Sequence, residues 1–344
     1  MDDVVGMVLA AGFGTRLRPL TDVLPKPAIP VGGLPLLQYA LARLRSAGAG
    51  RAVVNAHHLA DRMEGVAREA SLGAGLPVEV SREPVIAGTG GALRQARSLL
   101  GEARAFALWN GDVLFDLDLA SVVAGHRASG ALATLVLAPM PPGATFATVD
   151  VDRSMAVRRI AGNGPGGAGL VPLHFTGVHV LSPELLDHVP DEPFACDVNR
   201  HVYPPLLESG RIRAVVADGH WNDLGTPVRY LQANLDLLSG AAPVGLPGAD
   251  PFAGLHKAAP RIWISPDAEV DPGSDVVGPA MVGAGARVEA GSRVGPGAVV
   301  GRGCRVPRGA SVERAVLWAG TALRPGERVE AAIAAGEHRV PAGG

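Results

Sequence analysis

The chain has 344 residues, 47% of them apolar, and a formal net charge of −2 at pH 7. That length and apolar content suit two ordinary domains with a sizeable core and exclude wholesale disorder, while the charge balance argues against nucleic acid or membrane bound by bulk charge. Two cysteines, Cys196 and Cys304, exclude a disulfide framework and a dedicated zinc cluster. The acidic start MDDVV lacks a signal-peptide layout, and no apolar run approaches the roughly 18 residues of a spanning helix, so the expected setting is cytoplasmic.

In chain order, residues 4–10 form a continuous apolar run that reads as a buried parallel strand. A glycine loop follows, then a helix over 35–48 with Gly48 as its stop. A short strand over 52–55, a polar helix over 59–70, a strand over 77–81 and a helix over 90–100 come next. Residues 104–110 lead apolar into Asn110-Gly111-Asp112. Alternating strands and helices predict a doubly wound α/β domain with a mostly parallel sheet, whose ligands gather beyond the carboxyl ends of the strands. Further on, strands are expected over 131–138, 146–151, 157–160, 175–181 and 211–217. A flexible loop spans 162–169, a short helix starts at 183, and a helix over 197–209 is interrupted by Pro204 and Pro205. The loop Trp221–Pro227 precedes an amphipathic helix over 228–238. Domains are therefore expected at 1–240 and 261–344, joined by a Gly/Pro/Ala-rich linker at 241–260.

Valine stands at 270, 276, 282, 288, 294, 300, 306 and 312, with Ile264 one step earlier. A small residue lies two positions before each valine, Cys304 among them, so that thiol reads as packing. The six-residue period is the hexapeptide pattern of a parallel β-helix, each side a short strand with its apolar residue inward. The register breaks at 313, and Trp318 and Leu323 are expected to cap the last coil.

The loop Leu9–Pro30 reads LAAGFGTRLRPLTDVLPKPAIP. Gly12 and Gly14 let backbone N–H groups approach an anion, and Arg16 and Lys26 supply positive charge. Only Lys26 and Lys257 among 31 basic residues are lysine, which marks a lysine fixed between Pro25 and Pro27. Asp116 and Asp118, after Asp112, read as solvated. Thr226 with Pro227 is a helix-capping signature.

This string resembles the signature of the sugar-1-phosphate nucleotidylyltransferases. Three later motifs fall in that family's order, Gly88-Thr89-Gly90-Gly91, Asn110-Gly111-Asp112 and Trp221–Pro227. The resemblance covers about residues 4–238. It implies a Rossmann-like nucleotidyltransferase domain, and the hexapeptide repeat resembles the left-handed β-helix carried by some members, notably the mannose-1-phosphate guanylyltransferases. The phrases FTGVHVLSPELL and GHWNDLGTP are as close to short uridylyltransferases acting on N-acetylmuramate 1-phosphate.

The resemblance implies Arg16, Lys26, Asp112 and Asp223 as catalytic residues. Arg16 would grip the triphosphate, Lys26 would bridge the reacting phosphates, and Asp112 and Asp223 would hold Mg²⁺. Leu9, Ala10, Ala11, Gly12, Gly14, Thr15, Arg16, Glu83, Thr89, Gly90 and Gly111 would surround the nucleotide. Lys26, Thr176 and Gly177 would approach the sugar phosphate. Glu83 reads either as an acceptor for the guanine N–H groups or as a rim carboxylate, and Arg18 either as an assistant or as a salt-bridge partner. His57 and His58 end a strand and have no matching ligand cluster.

The chain departs from the family where many members carry a Glu-Lys-Pro segment for the sugar and its phosphate. Here that region reads RRIAGNGPGGAG, which leaves Arg158, Arg159, His174 or Lys26 for the task, and alanine replaces a glycine in Phe146-Ala147-Thr148. The expected partners are an NTP, GTP or UTP, and a sugar 1-phosphate, within a homo-oligomer. A regulatory subunit that only binds nucleotide sugars is the competing class, and retention of Lys26 and Asp112 argues against it. An acyltransferase β-helix is disfavoured because residues 261–335 contain no histidine.

Overall fold

The computed structural model describes residues 3–141, 143–242 and 245–343. Residues 1 and 2 of the acidic start, residues 243 and 244 of the expected linker, and Gly344 lie outside the described residues. The chain forms two compact units: Met1–Gly12 with Leu37–Trp221, and Phe13–Leu36 with Asn222–Gly344.

The first unit is built on a nine-stranded sheet: β1 (Val4–Leu9), β2 (Ala49–Ala56), β3 (Val78–Arg82), β4 (Ala105–Asn110), β5 (Ala133–Ala138), β6 (Thr148–Val151), β7 (Val157–Ile160), β8 (Val171–Leu181) and β9 (Ile212–Val216). Their order is β7-β6-β8-β4-β1-β2-β3, with β5 beside β8 and β9 beside β5. Strands β4, β1, β2 and β3 run parallel, the predicted pattern for apolar runs buried on both faces. Strand β8 runs antiparallel to β4, β5 and β6. Helices cover both faces. Val5 and Met7 pack in one cluster with Ala92, Leu93 and Leu100. Gly6 faces the other way, where a Cβ would lie 2.6 Å from Leu44 Cδ1, so glycine lets helix Leu36–Ser46 press onto the sheet.

Two local expectations change, and a third gains a cap. The helix predicted over 197–209 is a π-turn at Val198–Val202 followed by a 3₁₀ helix at Pro204–Ser209, because Pro204 and Pro205 have no N–H for an α-helical ladder. Asp118 is exposed, as expected. It caps helix Leu119–Ser129, accepting from Ser121 N at 3.2 Å, and the Ser121 hydroxyl is the largest influence holding its carboxyl below the usual range. Asp116 is bound to Arg43 Nη2 at 2.5 Å.

In the second unit, Thr226 Oγ1 accepts from Arg229 N at 3.3 Å and Pro227 opens helix Pro227–Ser239, as the capping signature predicts. A parallel β-helix follows, whose three sheets are one per face. Registers join Val276 to Val294 to Val312, Val270 to Val288 to Val306, and Ile264 to Val282 to Val300. Each step is three hexads. The valines from 282 to 312 and the small residues Ala280, Ala286, Ala298, Cys304 and Ala310 fill one core. Burial pushes the Cys304 thiol up to about 11, consistent with packing.

The break at 313 does not end the coil. Strands Ala315–Leu317, Arg328–Glu330 and Ala332–Ala335 continue it with slightly shorter turns, and antiparallel His338–Pro341 closes the sheet. Leu323 packs in the core. Trp318 instead donates from Nε1 to Tyr230 Oη at 3.0 Å, and Tyr230 donates to Pro30 O at 2.5 Å. No helix among the described residues is long and apolar enough to cross a membrane.

Candidate active site

The first unit holds Leu9, Ala10, Ala11, Gly12, Glu83, Thr89, Gly90, Gly111, Asp112, Thr176 and Gly177 of the predicted site. Leu9 ends β1, and its carbonyl accepts from Gly111 N at 2.9 Å, tying the Asn-Gly-Asp turn to the glycine loop. Ala10 N donates to Asn55 Oδ1 at 2.6 Å, Asn55 Nδ2 donates to Glu83 Oε1 at 2.7 Å, and Glu83 Oε2 accepts from Ala87 N at 3.3 Å. This buried relay fixes the carboxyl ends of β1, β2 and β3 to the turn entering Gly88-Thr89-Gly90-Gly91. Glu83 is 4% exposed, so it is not a rim carboxylate. His57 Nδ1 lies 2.8 Å from Glu83 O.

Thr89 and Gly90 are held from behind by a segment the sequence does not flag. Gly90 N donates to Cys196 O and Cys196 N to Ala87 O, at 2.8 and 2.9 Å. Val198 N donates to Thr89 Oγ1 at 2.8 Å. A Cβ on Gly90 would lie 2.5 Å from Cys196 Sγ. More than a hundred residues separate the partners, so only the bare glycines hinted at a close neighbour.

Gly177 adopts φ +88° at a bulge in β8, where a Cβ would lie 2.8 Å from Asn110 Nδ2. Thr176 is buried, its hydroxyl donating to Val136 O at 2.7 Å and its carbonyl accepting from Trp221 Nε1 at 2.7 Å. Asp112 is half-buried in the turn after β4.

The second unit holds Gly14, Thr15, Arg16, Lys26 and Asp223. Gly14 takes φ +62°, and its carbonyl accepts from Thr21 Oγ1 at 2.9 Å. Thr15–Leu17 and Lys26–Ala28 are single 3₁₀ turns. Arg16 is exposed and lies against Gly225, where a Cβ would sit 2.9 Å from its Nη2. The basic loop and the Trp221–Pro227 motif therefore meet at this pair. Arg18 pairs with Asp22 at 3.2 Å on the surface, the salt-bridge alternative. Asp223 pairs with Arg229, a partner sequence reading missed, and Asn222 Nδ2 donates to Arg229 O at 3.3 Å.

A family model described as nucleotidyl transferase matches residues 5–240, more than half of the chain. The chain belongs to the nucleotidyl transferase family. The resemblance carried by Leu9–Pro30 holds. This nucleotidyl transferase is 32% identical over 285 residues to a mannose-1-phosphate guanylyltransferase of Mycobacterium tuberculosis, covering 81% of this chain and 75% of that one. It is 29% identical over 303 residues to a UTP–glucose-1-phosphate uridylyltransferase of Synechocystis, covering 80% and 78%. Identity to a mannose-1-phosphate guanyltransferase of Schizosaccharomyces pombe is 27% over 248 residues, covering 68% and 64%.

Proposed function

We propose that this nucleotidyl transferase joins a nucleoside monophosphate from an NTP to a sugar 1-phosphate, releasing pyrophosphate, with GTP and mannose 1-phosphate as its substrates. The similarity to the mycobacterial mannose-1-phosphate guanylyltransferase, which extends past the transferase domain, carries this reading. The attacking phosphate, with a second pKa near about 6, is already ionised at neutral pH, so no general base is required. The demand is for alignment and charge neutralisation. Arg16, backed by Gly225, and Lys26, held between two prolines, would meet the triphosphate and the attacking phosphate. The N–H groups around Ala11 and Gly12 would take the nucleotide, and Gly177 would leave room for the sugar.

Among the described residues no group of three or more His, Cys, Asp or Glu forms a ready metal cage. Asp112 and Asp223 offer hard oxygen donors of the kind Mg²⁺ accepts alongside phosphate oxygens and water. On the family resemblance, each would offer a carboxylate to Mg²⁺, which supplies charge neutralisation at the reacting phosphates. A homo-oligomer assembled through the β-helix and a cytoplasmic location complete the reading.

The similarity to the Synechocystis enzyme supports a second reading, a UTP-dependent transferase. Pyrophosphate release measured with GTP or UTP against mannose, glucose and N-acetylmuramate 1-phosphates separates them. The proposal expects GTP with mannose 1-phosphate to be fastest; a UTP pair winning by tenfold would replace it.

A further inference from the structure

Val149 and Val151 of β6 lie in the first unit's core, so Asp150 points to the opposite face of the sheet. Strand pairing sets Arg159 of β7 and Pro172 of β8 directly opposite it, and His174 lies on the same face two residues beyond Pro172. Strand β8 is antiparallel to β4, with Val178 opposite Trp109. Its residues before Gly177 therefore run past the carboxyl end of β4, where Asn110-Gly111-Asp112 stands. The face carrying Asp150 overhangs the end of the sheet at which ligands of parallel α/β sheets gather.

Asp150 is 9% exposed, and its Oδ1 is buried without a hydrogen-bond partner. Its Oδ2 faces Arg159 Nη1 at 3.6 Å, an ion-pair distance too long for a hydrogen bond. An unmet buried carboxyl oxygen is costly and points to a missing donor. The guanidinium has space made for it: a Cβ on Gly166, in the glycine-rich loop, would sit 2.5 Å from Arg159 Nη2. Arg158, by contrast, is committed to Asp152 at 2.7 Å, and Asp152 also closes a turn on Ser154 and Ala156. On the Asp150 face, Trp221 and Phe146 meet the His174 ring, with centroids 4.7 and 5.4 Å away.

We propose, on the nucleotidyl-transfer reading above, that Asp150 and Arg159 form the acceptor subsite. Arg159 takes the phosphate of the sugar 1-phosphate. Asp150 Oδ1 accepts a hydroxyl or amide N–H from the sugar, and Trp221 with Phe146 forms the apolar wall beside the ring. The pair makes recognition depend on a hydrogen-bonding sugar.

The test is steady-state kinetics on the full chain with GTP and mannose 1-phosphate, or with UTP and glucose 1-phosphate if that pair turns over better. Asp150→Asn and Arg159→Ala should each raise the sugar-phosphate KM by about tenfold or more, the loss expected for a charge-assisted hydrogen bond. The NTP KM should stay within about twofold, and Arg159→Lys should recover part of the loss. An unchanged sugar-phosphate KM in both variants, or an NTP KM rising in step, overturns the subsite while leaving the transfer reading intact. If the wild-type chain turns over no pair, the transfer reading fails instead. Calorimetric titration with mannose 1-phosphate then decides the subsite: binding weakened in both variants supports it, and no wild-type binding or equal binding overturns it.

Discussion

Asn55 Nδ2 donates to Glu83 Oε1 at 2.7 Å, with each residue 4% exposed. The same asparagine accepts from Ala10 N through its other amide atom. One buried side chain thus fixes the loop leaving β1 and, through Glu83, the turn before Thr89. Asn55→Ala would leave an N–H and a carboxyl oxygen without partners, each costing about 1–3 kcal/mol. Thermal unfolding should occur at lower temperature, and kcat/KM for the NTP should fall more than that for the sugar phosphate. Equal loss on both substrates would show that the relay supports only the fold.

The Gly90–Cys196 contact yields a rescue experiment. Gly90→Ala places a Cβ 2.5 Å from Cys196 Sγ, whereas its next contacts, Cys196 Cβ and O, are at 3.2 Å. The single variant should lose activity by about tenfold or more, because the Thr89-Gly90 turn must shift. Adding Cys196→Ala removes the worst contact and should restore a substantial part. Failure of the double variant to recover would mean that the backbone at 90, not the thiol behind it, sets the requirement.

Two histidines give the fold an acid limit. Burial lowers His126 to about 4, with Arg127 assisting, and burial lowers His179 to about 3. His126 Nδ1 lies 2.9 Å from Thr134 Oγ1, and His179 Nδ1 lies 2.6 Å from Tyr203 Oη. Both are neutral in the folded chain over a range in which the unfolded chain, with a histidine pKa near about 6.5, binds protons. Their contribution to stability is therefore full above pH about 6.5 and is lost as pH falls toward 4 and 3. Urea unfolding between pH 6 and 5 should show uptake of protons by both groups. Replacing His179 and Tyr203 together by Phe should cut that slope by up to one proton; an unchanged slope would contradict the burial account.

Much of the fold was legible because its signals recur. Val282, Val288 and Val294 repeat one instruction per side of the β-helix, and the runs at β1 and β4 are apolar enough to be buried on both faces. The catalytic candidates were legible through family likeness in Leu9–Pro30, since Arg16 and Lys26 carry no spacing that periodicity detects. Contacts between distant segments were not legible. Nothing near Cys196 announces Gly90, and nothing near Asn55 announces Glu83, because such pairs are chosen by the sheet's register. Arg229 escaped notice because one turn of helix beyond a capping signature reads as surface. Asp150 escaped because an Asp between valines reads as an ordinary outward strand residue, and only burial exposes its unmet oxygen.

On the proposed function, the glycine loop and the two aspartates serve nucleotidyl transfer. Pyrophosphate formation from an NTP and a sugar 1-phosphate, followed for the wild-type chain, Lys26→Ala and Asp112→Ala in excess Mg²⁺, tests it most directly. The account predicts sugar-phosphate-dependent release by the wild-type chain and losses of about a hundredfold or more in both variants. Wild-type release that does not need the sugar phosphate, or variants that turn over as fast as the wild type, would contradict it.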